Sequence, residues 1–178
     1  RELNLFTGKI GYIFNNGLPY VKEVIITLVG NFIGTFLVGS VLKFARISNI
    51  VALEAEKICT IKLNDNLVSI FILSIFCGIL MYLAVNGFKE AKDNFAKYAG
   101  VFLAVSVFIL CGFEHCVANM FYIPAGMMAK ANPVYVEKAI EAYGLTMEQI
   151  EGLTALNSLA NFIPVTIGNI IGGMIYGT

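Results

Sequence analysis

Residues 110–126 read LCGFEHCVANMFYIPAG and set Glu114 beside His115, the only histidine of the chain, within a long apolar run. Gly112 precedes the pair and Pro124 follows it. Apart from that pair no charge interrupts Tyr98–Ala129, a run of about 32 residues. A bilayer core is crossed by about 20 apolar residues, in a range of roughly 17–25. The run is therefore too long for one ordinary span and too short for two spans with a loop between them. Two half-length helices meeting near the bilayer midplane fit the count. Such a break is tolerated only where the irregular backbone is buried in protein or lines a water-filled cavity. Half-helices of this kind build transport sites, because their N-termini present positive dipole ends.

The rest of the composition agrees with a membrane setting. Of 178 residues, 58% are hydrophobic and only 13% are charged, with a mean hydropathy of +0.79. Soluble domains average roughly 25% charged residues, and a small soluble domain needs a polar surface that this chain has too few residues to supply. The formal charge is zero, from 12 basic and 12 acidic residues, so nothing points to nucleic acid as a partner. Cys59, Cys77, Cys111 and Cys116 show no paired or finger-like spacing and read as small buried hydrophobes. No cofactor is implied. Lysine outnumbers arginine, which fits an AT-rich prokaryotic genome.

Three further runs reach spanning length: Val24–Leu42, Asn66–Phe88 and Gly152–Thr178. Gly30-x-x-x-Gly34 in the first and Gly168-x-x-x-Gly172 and Gly173-x-x-x-Gly177 in the last offer faces for close helix packing. Asn119 and Asn161 read as interhelical hydrogen-bonding residues. The polar segments Lys43–Asp65, Asn86–Lys97 and Lys130–Glu151 read as connections, the last with a short amphipathic helix near Pro133–Tyr143 and a second one capped by Thr146. Basic residues divide almost evenly between the two sides, so the positive-inside rule does not orient the chain. The opening RELNLFTGK reads as the interior of a longer protein.

Three motifs then act together. GFEHCVANMFYIPAG (residues 112–126), NFIPVTIGNIIGG (161–173) and ELNLFTG (2–8) resemble, in this order, segments of the formate/nitrite transporter family. The resemblance implies an all-α membrane fold, an aquaporin-like inverted repeat with two broken helices and six spans in the complete protein. Residues 1–178 would then be a single transmembrane channel domain without the first span and the first half of the second. It implies a homopentamer with one pore per subunit. It places the central pore histidine on His115, its partner threonine on Thr7, an anion-gathering lysine on Lys62 and a last-span asparagine on Asn169. Apolar constrictions fall on Leu5 and Phe108, and Glu2 and Glu114 occupy corresponding helix breaks.

The chemistry of these residue types suits small anions. An anion entering an apolar constriction loses hydration at a high cost unless it is paired or neutralised. Fixed positive charge can stabilise it, and a proton can neutralise it. Histidine is the side chain that changes charge near neutral pH, and formate, nitrite and hydrosulfide are conjugate bases of weak acids. The expected function is passive or proton-linked transport of such anions, leaning to hydrosulfide or formate export across the plasma membrane of an anaerobic prokaryote. Without the resemblance, His115 reads equally well as a structural histidine at a helix break, Lys62 as a solvated loop lysine beside Asn64 and Asp65, and Phe108 as a lipid- or core-facing ring. Glu114 reads as an acceptor for backbone N–H groups freed at the break. Two other functions compete. A structural membrane subunit would need no ionisable residue at mid-membrane. An enzyme or metal site would have to be built on Cys111, His115 and Cys116. Zinc usually takes three or four protein ligands, and the chain has one histidine and no carboxylate cluster around it, so the chain is not expected to be an enzyme.

Overall fold

The computed structural model describes the backbone of residues 13–175 and the side chains of residues 19–175. Among the described residues the chain is helical, without strands: α1 (Ile13–Leu42), α2 (Ser48–Asn64), α3 (Leu67–Glu90), α4 (Asn94–Leu110), α5 (Cys116–Lys130), α6 (Pro133–Tyr143), α7 (Met147–Glu151) and α8 (Ala155–Ile175). The run 98–129 divides as its length demands, into a 17-residue α4 and a 15-residue α5 separated by residues 111–115. The three uncharged runs become helices long and apolar enough to cross a membrane, Pro19–Leu42, Leu67–Glu90 and Ala155–Ile175. Large apolar side chains on their surfaces are exposed, among them Ile33 and Leu37 on α1 and Leu67 and Val68 on α3. Water would penalise that arrangement by roughly 25 cal/mol for each Å² of apolar area left uncovered. Hydrocarbon does not.

The structure corrects the reading of Lys43–Asp65 as a connection. Its residues 48–64 form α2, which buries Ala55, Glu56, Cys59, Thr60 and Lys62. Those positions recur at helical spacing, but the stripe is small and half polar. Charge density alone therefore hides it.

The described residues divide into two compact units: one of residues 13–29, 68–115 and 164–175, the other of residues 30–67 and 116–163. In the second unit α5 lies against α2 at close range. A Cβ on Gly126 would collide with the Cys59 side chain and would stand 2.7 Å from the Ala55 carbonyl oxygen. Cys59, Ile123 and Leu153 form its core, with Leu63, Met127 and Phe162 packed around them. Burial, reinforced by the nearby Glu56, pushes the Cys59 thiol up to about 12, and its Sγ donates to the Ile123 carbonyl at 3.6 Å. α6 is tied to α2 through Tyr143, which donates to Glu54 at 2.6 Å, and Tyr135, which donates to Asn49 at 2.8 Å. The short helices start and stop as the sequence indicates. Asn132 caps α6 with Pro133 at its first position, Gly144 ends it at φ 66°, and Thr146 with Gln149 makes a capping box for α7.

Candidate pore site

α4 starts at Asp93, whose carboxylate accepts the Ala96 N–H, and it stops at Gly112 for a local reason. The Phe113 N–H reaches back to the Phe108 carbonyl at 3.1 Å, and the Gly112 N–H reaches the Ile109 carbonyl at 3.2 Å. That paired closure requires a left-handed residue at the position of Gly112, and Gly112 has φ 64°. Phe113, Glu114 and His115 follow as non-helical backbone, and Cys116 opens α5.

The break is packed from α3 and α8. The Phe113 ring stacks on Phe76 of α3, with centroids 5.9 Å apart. Glu114 is 3% exposed. Asn169 of α8 is fully buried, and its Nδ2 donates to two backbone carbonyls, those of Ser74 and Glu114, each at 2.8 Å. It can reach both because α3 and the C-terminal half of α8 meet almost backbone to backbone. A Cβ on Gly168 would collide with Ser74 Oγ, one on Gly172 with the Ile75 carbonyl oxygen, and one on Gly78 with the Asn169 carbonyl oxygen. The Gly168-x-x-x-Gly172 face is thus used in close packing, whereas Cβ atoms on Gly30 and Gly34 would meet nothing within 4 Å.

His115 itself is half-buried. Its ring lies edge to face against Phe108, with centroids 5.7 Å apart and planes inclined by 66°. His115, Phe108, Glu114 and Asn169 are therefore brought together in one unit. Lys62 belongs to the other. It lies in the last turn of α2, 8% exposed, and its carbonyl accepts from Asn161 Nδ2 at 3.2 Å. Asn161 in turn accepts from Asn119 Nδ2 at 2.9 Å; both residues are interhelical hydrogen-bonders as expected, and the structure pairs them with each other. Glu2, Leu5 and Thr7 lie outside the described residues. Among the described residues no three His, Cys, Asp or Glu side chains are grouped to hold a metal ion. Sequence reasoning missed Ser74 and Gly78. The signal that could have found them is their i, i+4 spacing of small residues on α3, facing the glycines of α8.

A multi-pass helical membrane chain with a buried, polar helix break has the build of a membrane channel or transporter. Residues 4–178 match the model of the family described as Formate/nitrite transporter, and the chain belongs to that family. It is 29% identical over 164 residues to the formate channel FocA of Haemophilus influenzae, covering 87% of this chain and 56% of that one. Against FocA of Escherichia coli the identity is 36% over 115 residues, covering 63% and 39%. A formate-nitrite transporter of Plasmodium vivax is 28% identical over 167 residues, covering 89% and 47%. The fold is similar to that of a pentameric formate channel with formate bound, with TM-score 0.71 and 30% identity over 95% of this chain and 66% of the other. The chain spans about half the length of the curated relatives it matches.

Proposed function

We propose that the complete protein conducts small monovalent weak-acid anions, formate foremost, through a pore in each subunit of a homopentamer. The observation that carries this reading is the half-buried His115 at a backbone break that two neighbouring helices hold in place. The similarity to formate channels favours formate over hydrosulfide and nitrite as the first anion to test. In this reading Lys62 gathers the anion and lowers the cost of its dehydration. The anion meets His115 at the break, shares or takes a proton, and passes the constrictions formed by Phe108 and Leu5 as a near-neutral species. Thr7 hydrogen-bonds the imidazole, Asn169 supports the pathway at the same level, and Glu2 and Glu114 satisfy backbone groups at the two breaks. The setting is the plasma membrane of a prokaryote.

Stopped-flow uptake of formate, nitrite and hydrosulfide into liposomes carrying the complete protein, across a pH series, tests the reading. Formate flux should rise as pH falls through the histidine range and should be largely lost in His115→Phe. Flux that His115→Phe leaves unchanged at every pH would remove His115 from the mechanism.

A further inference from the structure

We propose that Asn169 is a positioning residue that acts through the backbone: its amide sets the Glu114–His115 peptide plane and thereby where the imidazole stands. The inference rests on the reading of His115 as a pathway residue, but it assigns Asn169 a task other than touching the ion. Both partners of its Nδ2 are carbonyl oxygens, which can only accept. The orientation of the amide is therefore dictated by its neighbours, and both N–H groups are engaged. One of them fastens Asn169 to Ser74 on α3. The other holds the Glu114 carbonyl, which lies outside any helix. A peptide unit is planar, so the Glu114 oxygen and the His115 nitrogen move as one body. Holding the oxygen fixes the ψ of Glu114 and the φ of His115, and with them the direction of the His115 Cα–Cβ bond. The anchor has no slack, because Gly78, Gly168 and Gly172 bring α3 and α8 into backbone contact on either side of it. Asn169 is also fully buried, which suits a strut between carbonyls better than a surface offered to a passing anion.

The consequence is a specific coupling. Replacing Asn169 lets the Glu114 carbonyl turn, moves the imidazole relative to Phe108, and changes the environment in which the ring takes up its proton. Two measurements on the complete protein read this out. The first is formate uptake into liposomes between about pH 5 and 8 for wild type, Asn169→Ala, Asn169→Asp, His115→Phe and the double variant Asn169→Ala/His115→Phe. The second is the titration of the His115 ring in 15N-histidine-labelled protein, its signal assigned by its loss in His115→Phe. Displacement of a reacting group by about an ångström can reduce rates on the order of a hundredfold, so a fall in flux of ten- to a hundredfold is expected in Asn169→Ala. The imidazole midpoint should move with it, and Asn169→Ala should add little once His115 is Phe. Asn169→Ser, which keeps one donor, should fall between and serves if the alanine variant does not assemble.

An unmoved imidazole titration in every Asn169 variant would overturn the inference. So would a flux loss of the same size with and without His115, since that is what direct contact between Asn169 and the ion predicts. Indifference of flux to His115→Phe would instead remove the pathway reading, and the imidazole titration would still decide whether Asn169 positions the ring.

Discussion

Phe108 and His115 are joined twice over: their rings meet edge to face at 5.7 Å, and the Phe108 carbonyl closes the helix that His115 follows by accepting the Phe113 N–H. The ring proposed as a constriction thus belongs to the residue whose carbonyl closes α4. An edge-to-face pair contributes about 0.5–1.5 kcal/mol beyond its buried area, enough to hold the ring over the imidazole without locking it. Phe108→Ala in the complete protein is expected to raise acetate flux relative to formate several-fold. Liposome uptake of the two anions, measured side by side, checks this. A ratio that stays at its wild-type value counts against Phe108 as a constriction.

The glycines of α8 make a second prediction about assembly of the helices. Gly172 faces the Ile75 carbonyl oxygen, a backbone atom that cannot swing aside, whereas a Cβ at Gly100 of α4 would meet nothing within 4 Å. Overpacking a tight seam costs about 1–3 kcal/mol or more, and exchanging an exposed helical glycine for alanine gains up to about 1 kcal/mol. Gly172→Ala should lower the melting temperature in detergent, and Gly100→Ala should hold or raise it. Two variants that melt alike would show that the seam is softer than its geometry suggests.

The contrast between those glycines marks what could be read from the residues alone. The break at Gly112–His115 was legible because length decides it: residues 98–129 fit neither one span nor two. The extent of α6 and the cap of α7 were legible because Pro133 and Thr146 act on neighbours within a few positions. α2 was not, because its buried stripe includes Glu56, Thr60 and Lys62, which look like loop residues until a partner helix covers them. The role of Asn169 was not either. Its partners are backbone carbonyls 95 and 55 positions away, and a carbonyl carries no signature of residue type. The resemblance brought Asn169 into view, and only the fold supplies what it holds.

Asn119 and Asn161 offer a test of how much a buried polar link contributes in the other unit. Asn161 accepts from Asn119 at 2.9 Å and donates to the Lys62 carbonyl at 3.2 Å, and both side chains are almost wholly buried. Removing one member withdraws a partner from the other, at a cost of about 1–3 kcal/mol. Asn161→Leu should therefore destabilise the protein markedly. In the double variant Asn119→Leu/Asn161→Leu the loss should fall short of the sum of the two single losses, because the pair is a single interaction removed once. Thermal unfolding of all four proteins gives the coupling directly, and strict additivity would speak against a shared link.

Glu56 gives the pH dependence of stability its sign. It is fully buried in α2, outside the three spanning helices, and neither carboxylate oxygen has a hydrogen-bond partner among the described residues. Burial pushes its pKa above the usual 4.5, and the positive charge of Lys130 offsets only part of that rise. Lys130 has its Nζ on the carbonyls of Glu151 and Leu153, each at 3.1 Å. A carboxyl with a raised folded-state value holds its proton more tightly in the folded chain than in the unfolded one. Its stability contribution is thus complete below the unfolded value and declines as pH climbs through the folded one, by up to about 1.4 kcal/mol per pH unit in that window. Glu56→Gln keeps the volume and carries no charge at any pH. Its melting temperature should match that of wild type most closely in acid and exceed it by a growing margin as pH rises from 4.5 towards neutrality. A margin that does not change with pH would mean that Glu56 finds a partner for its charge in the assembled protein.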